Sequence, residues 1–125
     1  MLIEWERVET AAMLEALVGD EERAISVITV SELLHGVHRA TRAKRARRSA
    51  FVEHMLAGFE PVAITETVAR VHSEVWADLS RRGQRISAHD LWIAATALAN
   101  GFAVATHDRG DFGRVRGLRV LTPGR

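Results

Sequence analysis

Four acids stand at three places where an apolar, strand-like run ends or a helix starts. Glu32 lies four residues past the β-branched run 24–28, Asp90 lies three residues after Ser87, and Asp108 and Asp111 follow the run 102–106. In an open parallel sheet, ligands bind at the carboxyl ends of the strands, so acids delivered there by separate segments converge on one spot. Carboxylate oxygens in such numbers suit a hard cation, Mg²⁺ or Mn²⁺, which takes oxygen ligands and keeps several waters. Two carboxylates about 4 Å apart repel by roughly 4 kcal/mol at an effective dielectric near 20. The acids are therefore either spread apart in separate local roles or gathered round a cation.

The local roles are specific. Thr29-Val30-Ser31-Glu32 fits a helix-capping box, and Ser87-Ala88-His89-Asp90 fits one with aspartate in the place of glutamate. Each acid would then also interact favourably with its helix dipole. Asp111 would hold the turn before Phe112. Glu32-Leu33-Leu34-His35 is half of a di-iron helical motif, but none of the other five histidines follows a glutamate by three positions, so that reading fails. His89 and His107 each adjoin a candidate acid, as substrate contacts or as ordinary surface histidines. Trp92, two positions from Asp90 and about 200° round the helix, is expected to point away from the acids. The sequence holds no Gly-rich phosphate loop, Gly-x-Ser-x-Gly elbow or His-Glu-x-x-His pair, and with no cysteine it has no thiolate site and no disulfide.

The elements that position these acids alternate in type. Residues 2–18 read as a helix, 24–28 as a buried strand, 30–40 and 43–57 as helices, and 61–64 as a strand. A helix follows from about Thr65 to Ser80, and another from Ala88 to Asn100 closed by Gly101. Residues 102–106 and 118–121 complete the strands. Short apolar strands between amphipathic helices indicate an α/β fold with a mainly parallel sheet. At 125 residues, 47% hydrophobic and 26% charged, the chain is a single domain over residues 1–125. No apolar run approaches the roughly 20 residues of a membrane-spanning helix. Three charges within the first seven residues do not suit a signal peptide, and a cytoplasmic location is expected.

Net charge is only +1, but it is unevenly laid out. Residues 39–48 hold six bases (Arg39, Arg42, Lys44, Arg45, Arg47 and Arg48) and no acid, while seven acids precede residue 23. Arg42, Lys44, Arg45, Arg47 and Arg48 are candidate RNA contacts, against the alternative of a solvated helix face.

Together these segments resemble a known family. Residues 24–40 look like the segment carrying the second conserved acid of PIN-domain nucleases, and residues 87–97 look like the segment carrying the third. Thr106-His107-Asp108-Arg109-Gly110-Asp111-Phe112, followed by Gly117-Leu118-Arg119-Val120, resembles the closing motif. Among PIN proteins the chain most resembles the VapC toxins of toxin–antitoxin pairs. The resemblance implies a three-layer α/β/α domain and an Mg²⁺- or Mn²⁺-dependent endoribonuclease, homodimeric and held inactive by a VapB-like antitoxin. Glu32, Asp90 and Asp108 would be catalytic metal ligands, Asp111 an alternative last ligand, and Thr106 would orient the carboxylates. In the family a strand ending in an acid comes first and lies in mid-sheet. Here Leu2-Ile3-Glu4-Trp5-Glu6 matches the following helix, so the first strand and first acid are expected to be missing. The rival reading is a noncatalytic PIN remnant that binds antitoxin or RNA without cutting.

Overall fold

Side chains alternate along each strand, and the alternation sorts this core into two halves. In the computed structural model, which describes residues 2–3, 24–106 and 109–122, β2 is Ala24–Ser26, β4 is Val104–Ala105 and β5 is Val120–Leu121. Ile25, Ala105 and Leu121 face one side, packed with Leu33, Val37 and Val52. Ala24, Val104 and Val120 face the other, packed with Ile93, Ala94, Ala97 and Phe112. That period of two, with helices on both faces, makes the α/β/α three-layer arrangement expected from the sequence.

Leu2–Ile3 forms β1 and Glu60–Val62 forms β3. The described strands make one parallel sheet in the order β3-β2-β1-β4-β5. Leu2 pairs with Ala24 on one side and with Val104 on the other. The sequence reading began a helix at residue 2 and left the central place of the sheet empty. This is corrected: Leu2 and Ile3 hold that place, as a strand of two residues. The physical reason is that β2 and β4 would otherwise face each other with unpaired, buried N–H and C=O groups, each costing about 1–3 kcal/mol. Two apolar residues suffice to bridge them. The remainder of the expected 2–18 helix lies outside the described residues.

Helix α1 spans Val27–Arg39, α2 Arg42–Leu56, α3 Glu66–Arg81 and α4 Ala88–Ala99. The run 27–29 was expected as strand end and loop, because valine, isoleucine and threonine favour strands. It is helix instead. Ser26, fully buried, accepts a hydrogen bond from the Ile28 N–H at 3.0 Å and so starts α1 three residues earlier than expected. Thr29, Leu33 and Val37 then fall on one stripe, and all three are buried.

Helix α4 is the most deeply set of the four described helices. Ile93, Ala94, Ala95 and Ala97 are completely buried, since their small side chains admit close packing against the sheet. It ends as the sequence indicates. Gly101 takes φ +70, the Phe102 N–H reaches the Ala97 carbonyl at 2.8 Å, and the Gly101 N–H reaches the Leu98 carbonyl at 3.2 Å. Only glycine adopts that left-handed turn without strain. A one-turn 3₁₀ helix, Asp111–Arg114, was not anticipated; it buries Phe112 against α4 and β4.

Candidate metal centre

The order β3-β2-β1-β4-β5 reverses direction at β1, and α/β sheets offer a crevice at such a point, beyond the carboxyl ends of the strands. Helix α1 leaves directly from the end of β2. Helix α4 runs back against β4, so its first turn stands at the same end of the sheet. Glu32 and the 87–90 segment therefore arrive at one end of the molecule from different parts of the chain. Thr106, the residue following β4, joins them there; it is 3% exposed and its N–H is held by the Leu121 carbonyl at 2.9 Å.

The early start of α1 decides between the two roles for Glu32. With Ser26 as cap, Glu32 lies in the second turn, and no acid occupies the first. Glu32 caps nothing. Its Oε2 meets His89 Nδ1 at 2.9 Å, a contact that ties α1 to the first turn of α4. Its Oε1 is buried and makes no hydrogen bond among the described residues. Thr29 Oγ1, one turn earlier on the same face, is in the same condition. A buried oxygen left unsatisfied costs about 1–3 kcal/mol, and more when charged. A cation removes that cost for a carboxylate, so the chemistry of Glu32 fits a hard metal ion.

Around Asp90 the capping box is only half made by the expected residues. Ser87 Oγ accepts from the Asp90 N–H at 3.1 Å. The return bond, from the Ser87 N–H, goes at 2.9 Å to Asp111 Oδ2 rather than to the Asp90 carboxylate. The other Asp111 oxygen accepts from Arg114 at 3.2 Å. Asp111 is thus engaged on both oxygens in holding the 3₁₀ turn to the start of α4. Asp108 and His107 lie outside the described residues. Among the described residues, no three of His, Asp and Glu form a group that would hold a metal by itself. Trp92 does point away from the acids, as expected; it stacks on His72 of α3 with ring centroids 3.7 Å apart. Burial lowers the pKa of His72.

The model of the PIN domain matches residues 2–118. This chain belongs to the PIN-domain family. It is of the VapC type: it is 34% identical over 101 residues to Ribonuclease VapC4 of Mycobacterium tuberculosis, covering 81% of this chain and 77% of that protein. To Ribonuclease VapC1 of Rickettsia felis it is 40% identical over 103 residues, 78% and 74% of the two chains. VapBC-5 from Mycobacterium tuberculosis, a member of the VapBC family of toxin–antitoxin systems, shares its fold with a TM-score of 0.82 at 32% identity, over 97% of this chain and 96% of that one. The structure of VapBC2 from Rickettsia felis bound to a promoter DNA fragment agrees in fold, with a TM-score of 0.86 over 98% of each chain at 20% identity.

In this PIN domain the basic helix α2 is exposed throughout residues 42–48. Arg45 differs from its neighbours: its guanidinium donates to the Ala40 carbonyl at 3.1 Å and to the His38 carbonyl at 3.5 Å, closing the end of α1. Arg39, Lys44 and Arg48 line a cleft of about 300 Å³ with Gly36 and Thr41. Arg39 is seven residues from Glu32 on α1, two turns or about 10 Å along the same face. Arg42 and Arg47 lie outside this cleft lining.

From the sequence, Thr29 is expected only as a cap, and His89 only as a substrate contact or a surface residue. Thr29 could have been found as a second buried oxygen by its spacing of three from Glu32. The pairing of His89 with Glu32 joins residues 57 positions apart, and no local signal announces it.

Proposed function

We propose that this chain is a divalent-metal-dependent endoribonuclease, the toxin of a type II toxin–antitoxin pair. The observation that carries the metal reading is Glu32: a carboxylate outside any cap, with one oxygen buried and unsatisfied among the described residues, tied to the turn that bears Asp90. Glu32, Asp90 and Asp108 are its ligands. Thr106, buried at the end of β4, orients the carboxylates. Asp111 serves the 3₁₀ turn and is the lesser candidate for the last ligand. Mg²⁺ or Mn²⁺, when bound, supplies Lewis-acid polarisation of the phosphate and activation of water. The protein's part is to fix the carboxylates on rigid elements and to seat RNA beside them. Lys44 and Arg48 offer the phosphodiester chain positive charge in one cleft with Arg39, which stands two helical turns from Glu32, and Arg42 and Arg47 extend the basic surface.

The names of the relatives support the activity, since two are ribonucleases, and VapBC-5 belongs to a family of toxin–antitoxin systems. A VapB-like antitoxin is the proposed partner, and a homodimer the proposed assembly. The purified chain should cut single-stranded RNA with Mg²⁺ or Mn²⁺, stop on chelation, and resume when the cation is restored. Cleavage that persists in chelator would overturn the metal reading.

The second reading, a PIN domain that binds antitoxin or RNA without cutting, draws on the lack of a three-ligand group among the described residues. It predicts RNA retention with no cleavage at any cation concentration.

A further inference from the structure

We propose that His89 is a positioning residue, which takes Glu32 Oε2 and leaves Oε1 as the oxygen offered to the cation. This rests on the reading of Glu32 as a metal ligand. The geometry is that of a directed bond. An ionised carboxylate only accepts, so the hydrogen sits on His89 Nδ1 and points at Oε2 across 2.9 Å. Glu32 is a long side chain in the second turn of α1, with three rotatable bonds before its carboxylate. Fixing one oxygen fixes the other. The two oxygens differ accordingly, Oε2 being bonded to the ring and Oε1 buried without a partner among the described residues.

The positions of the two residues give this bond a second effect. His89 and Asp90 are consecutive in the first turn of α4, whose start is fixed by Ser87 Oγ on the Asp90 N–H. A bond from His89 to α1 therefore sets the separation between the elements carrying Glu32 and Asp90. The His89 side chain is 59% exposed, against 30% for Glu32, so the ring is the more solvent-facing member of the pair. Partners of this kind, which orient a ligand without touching the metal, typically contribute about 10–100-fold in metal affinity.

Substitutions at His89 separate a positioning role from a packing one. Asparagine places its side-chain amide nitrogen where Nδ1 stands, whereas glutamine places its nitrogen nearer the position of Nε2. Mn²⁺ binding by the full chain is measured by the electron paramagnetic resonance signal of free Mn²⁺, beside a thermal melt of each variant. His89→Ala should melt like the parent and bind Mn²⁺ about 10–100-fold more weakly. His89→Asn should restore most of that affinity, and His89→Gln should not. Equal Mn²⁺ affinity for His89→Ala and the parent would overturn the inference, as would rescue by glutamine and not asparagine. A nitrogen directly coupled to bound Mn²⁺ and absent in His89→Ala would make His89 a ligand and overturn it too. Glu32→Gln distinguishes the levels of failure. If Glu32→Gln loses Mn²⁺ while His89→Ala does not, only the positioning role is wrong. If Glu32→Gln binds as the parent does, or the parent binds no Mn²⁺, the metal reading of Glu32 falls and the positioning role falls with it.

Discussion

Replacing Asp111 with alanine should cost stability and leave cation binding alone. In the structure its Oδ2 accepts from the Ser87 N–H at 2.9 Å and its Oδ1 from Arg114 at 3.2 Å. A hydrogen bond to a charged group contributes about 1.5–3 kcal/mol when its loss leaves the donor unsatisfied. Ser87 is exposed, so water replaces the missing acceptor and the cost falls below that range, to about 1 kcal/mol. The Arg114 pair adds little, because its side chains are 49% and 25% exposed and such pairs contribute at most about 1 kcal/mol. The expected loss is about 1 kcal/mol, or about 3–5 °C in Tm for a domain of this size. A calorimetric melt of Asp111→Ala beside a Mn²⁺ titration reads both quantities. An unchanged melt with weakened Mn²⁺ affinity would refute the reasoning and make Asp111 the last ligand in place of Asp108.

Three other expectations follow from single interactions. Ser26→Ala removes the cap of α1 and should lower stability by about 1 kcal/mol, measured by urea unfolding, since the half-buried Ile28 N–H loses its acceptor. Asp78 is held below the ordinary carboxylate pKa, first by its hydrogen bond from Arg82 and then by the charges of Arg82, Arg116 and Arg81. Its contribution is thus present above the unfolded-state pKa and lost as pH falls through the lower folded value; a pH series of melts should show Asp78→Asn losing stability at neutral pH but converging with the parent in acid. Changing Lys44, Arg47 and Arg48 to serine in an uncleaving variant should reduce the log–log salt slope of RNA affinity by about 0.7 for each phosphate no longer neutralised. Arg45→Ser should leave that slope unchanged, because Arg45 is engaged with the carbonyls ending α1.

The parts of this fold that were legible in the sequence are those whose signals are local. Ser87 at the start of α4, the run of alanines that lets it pack closely, and Gly101 at its end all act within a few residues of where they stand. The run 27–29 misled because β-branched residues favour a strand, while the cap at Ser26 and the buried stripe of Thr29, Leu33 and Val37 favour a helix, and packing won. That three-residue difference also moved Glu32 out of a cap and left its carboxylate free to serve as a ligand. Leu2 and Ile3 read as helix because nothing in two residues can reveal that β2 and β4 need a partner between them. The 3₁₀ turn at Asp111–Arg114 and the pairings of Asp111 with Ser87 and His89 with Glu32 depend on segments distant in sequence. Patterns of period 2 or 3.6 carry no information about such pairs.

The central claim is that Glu32 and Asp90 hold a catalytic cation, and Asp90→Asn tests it most directly. Amide and carboxylate are nearly the same size, and the Asp90 N–H bond to Ser87 Oγ belongs to the backbone, so the start of α4 should survive the change. RNA cleavage by parent and variant is followed over a Mn²⁺ titration, with circular dichroism confirming the same fold. The expected result is cleavage by the parent, none by Asp90→Asn at any Mn²⁺ concentration, and superimposable spectra. Near-parental cleavage by Asp90→Asn would contradict the claim and leave Asp90 as a residue of the helix start.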